Sequence, residues 1–186
     1  MGQVIDFETG AVAQLRERVA RAEEDSGDIL AFARGHAEAS ATIHRAALAA
    51  IEAEGLDHLL HIVTRDWPGM LGVDAVALAL SAGERGIRAD RSGMQFVERR
   101  LVERAIGDNP GVTLRNVAKG HPLFGGAADS LRAEALICLD NDPPLPTGLL
   151  LLGQRESEPL DVPHGTELLG FLGQSLSRLI GRWLLP

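Results

Sequence analysis

The first quarter of the chain carries a heptad pattern. Folded as one helix, this segment would be longer than a small domain is wide. Apolar and small residues recur at alternating spacings of three and four, which is typical of a coiled-coil seam. A continuous helix from Glu8 to Ala53 would extend about 69 Å at about 1.5 Å per residue. We therefore predict that this helix projects from its domain and pairs with a second copy of the chain. The seam runs through Val12, Leu15, Val19, Ala22, Ser26, Ile29, Ala33, His36, Ser40, Ile43 and Ala47.

Two alternatives to a continuous dimerising helix stay open. Gly27 and Gly35 each cost about 1 kcal/mol relative to alanine inside a helix, and a break near 25–28 would give two shorter helices. Because the acidic residues 23–25 would crowd the negative end of the first helix, we favour continuity. The stripe can also pack on the protein's own core instead of on a partner. For the dimer interface we name Val12, Leu15, Val19, Ile29 and Ile43.

Composition limits the class of protein. The chain has 186 residues, 45% of them hydrophobic, and a formal net charge of −8, so it is globular and poorly suited to nucleic acid. Cys138 is the single cysteine, which excludes an intrachain disulfide and a cysteine-based zinc site. The most apolar stretch, 168–185, contains Arg178 and Arg182, so we expect no membrane span and, without a secretory signal, a cytoplasmic protein. We divide the chain into a helical segment, 1–54, and a domain, 55–186.

The remaining residues alternate between strand and helix patterns. Strands are predicted over 73–80, 86–89, 112–115, 134–139 and 148–153, and helices over 56–66, 93–106 and 166–185. Trp67-Pro68-Gly69 should disturb or end the helix that begins at 56. Ser92 should cap the helix over 93–106, with Phe96 facing inward, and a loop-rich stretch should follow over 116–130. The strands 134–139 and 148–153 are close enough for an antiparallel hairpin, so we predict an α+β fold, an antiparallel sheet with flanking helices.

Several segments together resemble a known bacterial family. They are Leu131-Arg-Ala-Glu-Ala-Leu136, Thr147-Gly-Leu-Leu-Leu-Leu-Gly153, Pro163-His-Gly-Thr-Glu-Leu-Leu-Gly-Phe-Leu172, Gly72-Val-Asp-Ala-Val76, and Val4-Ile-Asp-Phe7 before the long helix. The family is domain of unknown function 484, a GAF-domain relative with an N-terminal helical segment. The resemblance extends from about Val4 to Leu185. It implies a GAF-like sheet that cups a pocket, terminal helices that form a dimer bundle, and a sensory or scaffolding role.

The resemblance brings no activity with it, and the residues supply no recognisable catalytic set. Free methionine sulfoxide reductases share the GAF fold but use several cysteines, whereas Cys138 reads as a small buried hydrophobe. His58 and His61 lie one turn apart without a third ligand at readable spacing. No phosphate-binding loop and no nucleophile elbow is present. We therefore predict a non-enzymatic protein without a metal or cofactor.

One cluster favours a ligand. Arg115, Asn116, Lys119, His121 and Arg132 surround the loop that contains Phe124. In a GAF-like fold this loop would lie over the pocket, where Arg115 or Arg132 would hold a small anion and Phe124 would cover it. The alternative is that Arg132 pairs at the surface with Glu134 or Asp129.

We therefore predict a sensory or scaffolding module that homodimerises, binds a small anionic molecule and passes its signal to a separate protein partner. It should contact neither nucleic acid nor membrane directly. The alternatives are a pure protein-interaction module with a filled pocket and, least favoured, an enzyme of unknown type.

Overall fold

The computed structural model describes residues 7–109, 111–139, 146–157 and 162–184. The chain divides into two units, Met1–Glu38 and Ala39–Pro186. Helix α1 spans Phe7–Ile51, so its residues 7–38 belong to the first unit and its residues 39–51 to the second. The helix passes through Gly27 and Gly35, and a β-carbon at either glycine would meet nothing within 4 Å. The predicted division at residue 54 stays a prediction.

The seam residues differ in their surroundings. Val19, in the first unit, is 54% exposed. Ile43 is 6% exposed and packs in the core of the second unit, so at this position the stripe packs on the protein's own core. The side chains of Val12, Leu15 and Ile29 lie outside the described residues.

A six-stranded antiparallel sheet forms the centre of the second unit. Its order is β3-β2-β1-β6-β5-β4, so β1 and β6 are central and β3 and β4 lie at the edges. The predicted hairpin is confirmed as β5 and β6, whose register pairs Ile137 with Leu150. The strands are β1 Ala75–Ala82, β2 Arg85–Asp90, β3 Gly93–Val97, β4 Val112–Asn116, β5 Ala133–Leu139 and β6 Thr147–Gln154.

Helices cover both faces of the sheet. Besides α1, the helical elements are α2 Leu56–His61, a π turn Ile62–Asp66, α3 Trp67–Leu71, α4 Arg99–Asp108, a 3-10 segment Pro122–Ser130 and α5 Val162–Leu184. Because side chains alternate along a strand, β1 presents Val76, Leu78 and Leu80 to the core built with α1, α2, α3 and α5. It presents Ala77 and Ala79 to the core built with α4 and the 3-10 segment. Between the two cores, the leucines of β6 are buried on both faces, as their unbroken apolar run predicted.

The prediction of a helix over 93–106 is wrong in its first part. Residues Gly93–Val97 form β3 and pair with β2, and the helix begins only at Arg99. Ser92 lies in the β2–β3 turn, where its backbone N–H donates to Asp90 Oδ1 at 2.7 Å, so it does not cap a helix. Phe96 is 65% exposed and does not face inward. A period of two over five residues is too short to be separated from the helical pattern that follows it.

The helix that begins at Leu56 is disturbed, and not ended, next to Trp67-Pro68-Gly69, which is one of the two outcomes predicted. Helical structure runs from Leu56 to Leu71 and ends at Gly72, which has φ 67°. Pro68 has no N–H to donate to the carbonyl of Thr64, and its ring would clash with that carbonyl in a regular α-helix. The helix departs from α geometry directly before this proline, in the π turn Ile62–Asp66, where the Trp67 N–H donates to Ile62 O. Gly55 occupies the N-cap position of α2, and Asp57 lies in the first turn of that helix.

Two further predictions concern the end of the chain. Helix α5 begins at Val162, earlier than the predicted 166, so His164 lies in the helix and not in a preceding turn. The side chain of His164 lies outside the described residues, as do residues 140–145 between the two strands of the predicted hairpin. Among the helices that the structure describes, none combines the length and the apolar character needed to cross a membrane.

Candidate functional site

A cavity of about 440 Å³ opens at one end of the sheet in the second unit. Five parts of the chain, distant in sequence, form its wall, and each supplies short or charged side chains. They are Thr64, Arg65, Pro68 and Gly69 from the π turn and α3; Asp74, Ala75 and Val76 at the start of β1; Asp90, Arg91 and Ser92 in the β2–β3 turn; Phe124, Gly126 and Ala127 in the 3-10 segment; and Arg155 after β6.

The arginines that line this cavity differ in whether a carboxylate pairs with them. Arg155 donates from its backbone N–H to Asp74 Oδ2 at 2.8 Å, and its Nε lies 3.8 Å from Asp74 Oδ1. By contrast, no carboxylate among the described residues lies within ion-pair distance of Arg65 or Arg91. Both aspartates of the wall lie in ion pairs, whereas two of its three guanidinium groups have no carboxylate partner among the described residues, so the wall has a local excess of positive charge.

A buried ion pair lies directly behind the cavity wall. Arg88 Nε is 3.2 Å from Asp90 Oδ2, and their side chains are only 14% and 12% exposed. Arg88 also donates to Gln95 on the paired strand β3, and Ser92 donates its hydroxyl to Asp90. Asp90 Oδ1 accepts both bonds from Ser92, whereas Oδ2 lies within ion-pair distance of Arg88 Nε without a hydrogen bond from it. Asp90 therefore serves to fix the β2–β3 turn that carries Arg91.

Gly125 allows the 3-10 segment to close over this ion pair. Its φ of 61° is a left-handed conformation that side chains rarely adopt. A β-carbon at this position would lie 2.9 Å from Arg88 Cζ and 2.9 Å from Asp90 Oδ2. The kink at Gly125 therefore brings the segment that contains Phe124 against the end of the sheet, where Phe124 lines the cavity.

Of the three predicted ligand-binding residues, only Phe124 lines the cavity. Arg115 donates from Nε to Glu134 Oε1 at 2.7 Å, with its Nη2 also 2.7 Å from that oxygen. Arg132 donates from Nη1 to the backbone oxygens of Asp129 at 2.9 Å and Leu131 at 2.8 Å. Neither predicted carboxylate partner of Arg132 is available to it, since Glu134 binds Arg115 and Asp129 pairs with Lys119.

The Glu134 carboxylate holds the loop after β4 in place. Its side chain is 1% exposed, and its second oxygen, Oε2, accepts from the backbone N–H of His121 at 2.7 Å. His121 in turn accepts at Nδ1 from the N–H of Leu123 at 3.2 Å, which caps the 3-10 segment. Burial lowers the pKa of the His121 imidazole below its ordinary value, and the nearby Glu134 raises it less than burial lowers it.

We expect His121 to make the protein less stable at acidic pH. Protonation is harder in the folded chain than in the unfolded one, so the folded state binds fewer protons. The stabilisation is complete above the ordinary histidine pKa of about 6.5 and is lost as the pH falls through the lower, folded value. His121→Asn keeps an acceptor for Leu123 and removes the titrating group. Urea unfolding from pH 8 to 5 should show a shallower loss for the variant, and equal slopes would contradict this role.

The remaining predicted chemistry has simple structural explanations. His58 Nδ1 accepts from the backbone N–H of Glu54 at 3.2 Å. Cys138 is partly buried in β5, and its backbone N–H donates to Gly111 O at 2.7 Å. Within the described ranges, no group of three histidine, cysteine, aspartate or glutamate side chains is placed to hold a metal ion.

Solved structures with similar folds place this domain in a class. The free methionine-R-sulfoxide reductase from Neisseria meningitidis, solved with its substrate, superposes with a TM-score of 0.55 at 13% identity, over 77% of this chain and 90% of that one. The chromophore-binding domain of a Stigmatella aurantiaca bacteriophytochrome gives 0.50 at 15% identity, over 75% and 59%. That of an unusual R. palustris bacteriophytochrome gives 0.51 at 13%, over 77% and 60%. At these identities the likeness shows the fold alone.

The fold is therefore GAF-like, an α+β domain built on an antiparallel sheet, as predicted. The chain belongs to DUF484, a family of proteins of unknown function whose model matches residues 1–185. This confirms the resemblance on which the fold prediction partly rested. The chain spans about 60% of the length of the two phytochrome structures. No curated protein matches it.

Proposed function

We propose that this protein is a non-enzymatic GAF-like sensory module that binds a small anionic molecule in the cavity lined by Arg65 and Arg91. The observation that carries the proposal is that these two arginines line one cavity without a carboxylate partner among the described residues. The chain as a whole has a net charge of −8, so three arginines against two aspartates form a local reversal of sign. A cavity of about 440 Å³ is within the range of small-molecule sites.

The side chains of the wall support binding without catalysis. Among the described residues the cavity is lined by no histidine, cysteine or lysine, and its two carboxylates, Asp74 and Asp90, each lie in an ion pair with an arginine that does not favour their use as a general base. Ser92 donates its hydroxyl to Asp90, and Asp90 also pairs with Arg88. No histidine of the described lining stands between the serine and the aspartate, as it would in a catalytic triad. The single cysteine, Cys138, lies in β5 away from the cavity lining.

We expect oxyanions to stabilise the protein against heat through this cavity. Inorganic phosphate, pyrophosphate and citrate are suitable probes, and a probe at 100 times its Kd should add about 2.7 kcal/mol to the free energy of unfolding. Arg65→Gln and Arg91→Gln should each weaken binding by about tenfold or more, since each removes a charge-assisted contact. Calorimetric titration measures the affinity.

Arg132→Gln is the matched control, because Arg132 is exposed and contacts only backbone oxygens outside the cavity. It should leave the affinity unchanged. Equal losses in all three variants would indicate general charge attraction, and stabilisation by none of the probes would contradict the proposal. The second outcome would favour a pure protein-interaction module, an alternative supported by the dense core beside the cavity, where Leu123 and Phe124 are 0% and 2% exposed.

We also propose homodimerisation through the part of α1 that precedes residue 39. Two observations support it. The described residues of the first unit form a helix and nothing else, and isolated helices gain most of their stability from packing an apolar face. Val19, a seam residue, is 54% exposed within the single chain.

Val19→Asp should therefore convert a dimer to a monomer in light scattering after size exclusion, since a charge at a seam position of both helices would be buried unpaired. Leu48→Asp is the control. Leu48 is 58% exposed on the same helix but lies in the second unit and off the predicted seam, so this variant should stay dimeric. A monomeric unsubstituted chain, or dissociation by both substitutions, would contradict the predicted seam.

A further inference from the structure

We propose that the helical segment 56–71 transmits the occupancy of the cavity to helix α1. The inference rests on the proposed function, because it concerns the regulation carried by the same cavity. The segment comprises α2, the π turn and α3, and it is the one part of the cavity wall that also holds α1 by a side-chain hydrogen bond among the described residues.

One short stretch of the segment touches both the cavity and α1. Thr64, Arg65 and Pro68 line the cavity. Between them in sequence, Trp67 is 0% exposed and donates from its indole Nε1 to the backbone oxygen of Ala46 at 3.1 Å. A displacement of Arg65 by a bound anion therefore reaches Trp67 within two residues of helix.

The π turn makes this stretch adjustable. It accommodates one residue more than a regular helical turn, and such turns are common where a helix has a functional role. The Thr64 hydroxyl donates to the backbone oxygen of Leu60 at 2.7 Å, so this helix carbonyl accepts from a side chain of the same segment. Moving the π turn along the helix by one residue rotates the intervening side chains by about 100°. A move by three residues would pass 65–67 and change the directions of Arg65 and Trp67 together.

Helix α1, to which the occupancy of the cavity would be transmitted, is held in the second unit largely by small side chains. Ala46, Ala47 and Ala50 are buried at 0%, 5% and 2% exposure, and alanines bury little area. The indole–carbonyl bond is therefore a specific part of what fixes the position of α1 in the second unit. A change at Trp67 acts directly on the element for which we predict dimerisation.

Hydrogen exchange of α1 residues 43–51 tests the coupling, with inorganic phosphate as the probe. Saturating phosphate should change the protection of these amides by about fivefold or more. Trp67→Phe keeps an aromatic ring and removes the indole donor. It should still bind phosphate saturably, while the change in protection at 43–51 disappears. Trp183→Phe, in α5, is the matched control and should keep both the binding and the change.

The outcomes separate this inference from the proposed function. If phosphate binds saturably, in an Arg91-dependent manner, and the protection of 43–51 does not change, the coupling is overturned and the anion site stands. A change that persists in Trp67→Phe also overturns the route through the indole. If neither phosphate, pyrophosphate nor citrate binds, the proposed function fails and the coupling fails with it. Should Trp67→Phe not fold, the comparison of the unsubstituted chain with and without phosphate decides.

Discussion

Replacing Trp67 with alanine should lower the free energy of unfolding by about 3–5 kcal/mol. The side chain is 0% exposed in the core between the sheet and helices α1, α2, α3 and α5, so its removal leaves a cavity that the packed neighbours cannot fill. The Ala46 carbonyl also loses the indole donor at 3.1 Å. Urea denaturation followed by far-UV circular dichroism measures the change independently of tryptophan emission.

Trp183→Ala provides the comparison within the same chain. Trp183 is only partly buried, near the end of α5, and the Arg182 guanidinium carbon lies 5.4 Å from the centre of its ring. We expect this variant to lose clearly less stability than Trp67→Ala. Equal losses in the two variants would show that Trp67 does not have the central packing role assigned to it.

Arg115→Ala should destabilise the protein by about 3 kcal/mol, because it leaves the Glu134 carboxylate buried without its cation. The Glu134 side chain is 1% exposed and would keep only the His121 N–H as a partner. Arg115 itself is 42% exposed, so the cost arises from the stranded carboxylate and not from the loss of arginine packing. Thermal and urea unfolding near pH 7 measure the effect.

Two further variants isolate the buried charge. Arg132→Ala removes an exposed arginine of the same region and should cost less than about 1 kcal/mol. Adding Glu134→Gln to Arg115→Ala neutralises the stranded carboxylate and should recover part of the lost stability. If Arg115→Ala and Arg132→Ala have the same small effect, Arg115 has no structural role. Phosphate binding that is lost in Arg115→Ala, with stability unchanged, would support the ligand role first predicted for it.

The parts of the fold that could be predicted are those with strong local signals. The apolar runs of β5 and β6, which lie close together in sequence, predicted the central hairpin. The alternation of alanine with larger apolar residues predicted β1. The stripe of α5 likewise predicted the last helix within a few residues of its start. In each case the apolar period is long enough to identify the element without tertiary information.

The elements that were mispredicted depend on tertiary packing. β3 is five residues long and leads after one residue into α4, so its alternation merges with a helical pattern. Helical structure continues past Pro68, after the π turn and with Trp67 buried in the core. Local propensity would end the helix there, and packing in the core overrides it.

The site shows the same limit. Phe124 was predicted, but Arg65, Arg91 and Arg155 were not, because they come from a π turn, a hairpin turn and the end of β6. The sheet order, which puts β1 between β2 and β6, brings Arg91 and Arg155 to the same end of the sheet, and the π turn adds Arg65 to the same lining. Arg115 and Arg132 looked suitable in sequence because the burial of Glu134 cannot be read from its neighbours. That burial makes Arg115 a structural partner in the folded protein.

The open edge at β3 has a consequence for handling the protein in solution. Met94 and Phe96 are 59% and 65% exposed on this strand, and the Arg85 guanidinium lies 5.2 Å from the centre of the Phe96 ring. Charged side chains at a sheet edge discourage the approach of a strand from another molecule. Concentrated salt weakens that repulsion and strengthens apolar association. Buffers of low ionic strength should therefore keep concentrated samples free of aggregates for longer.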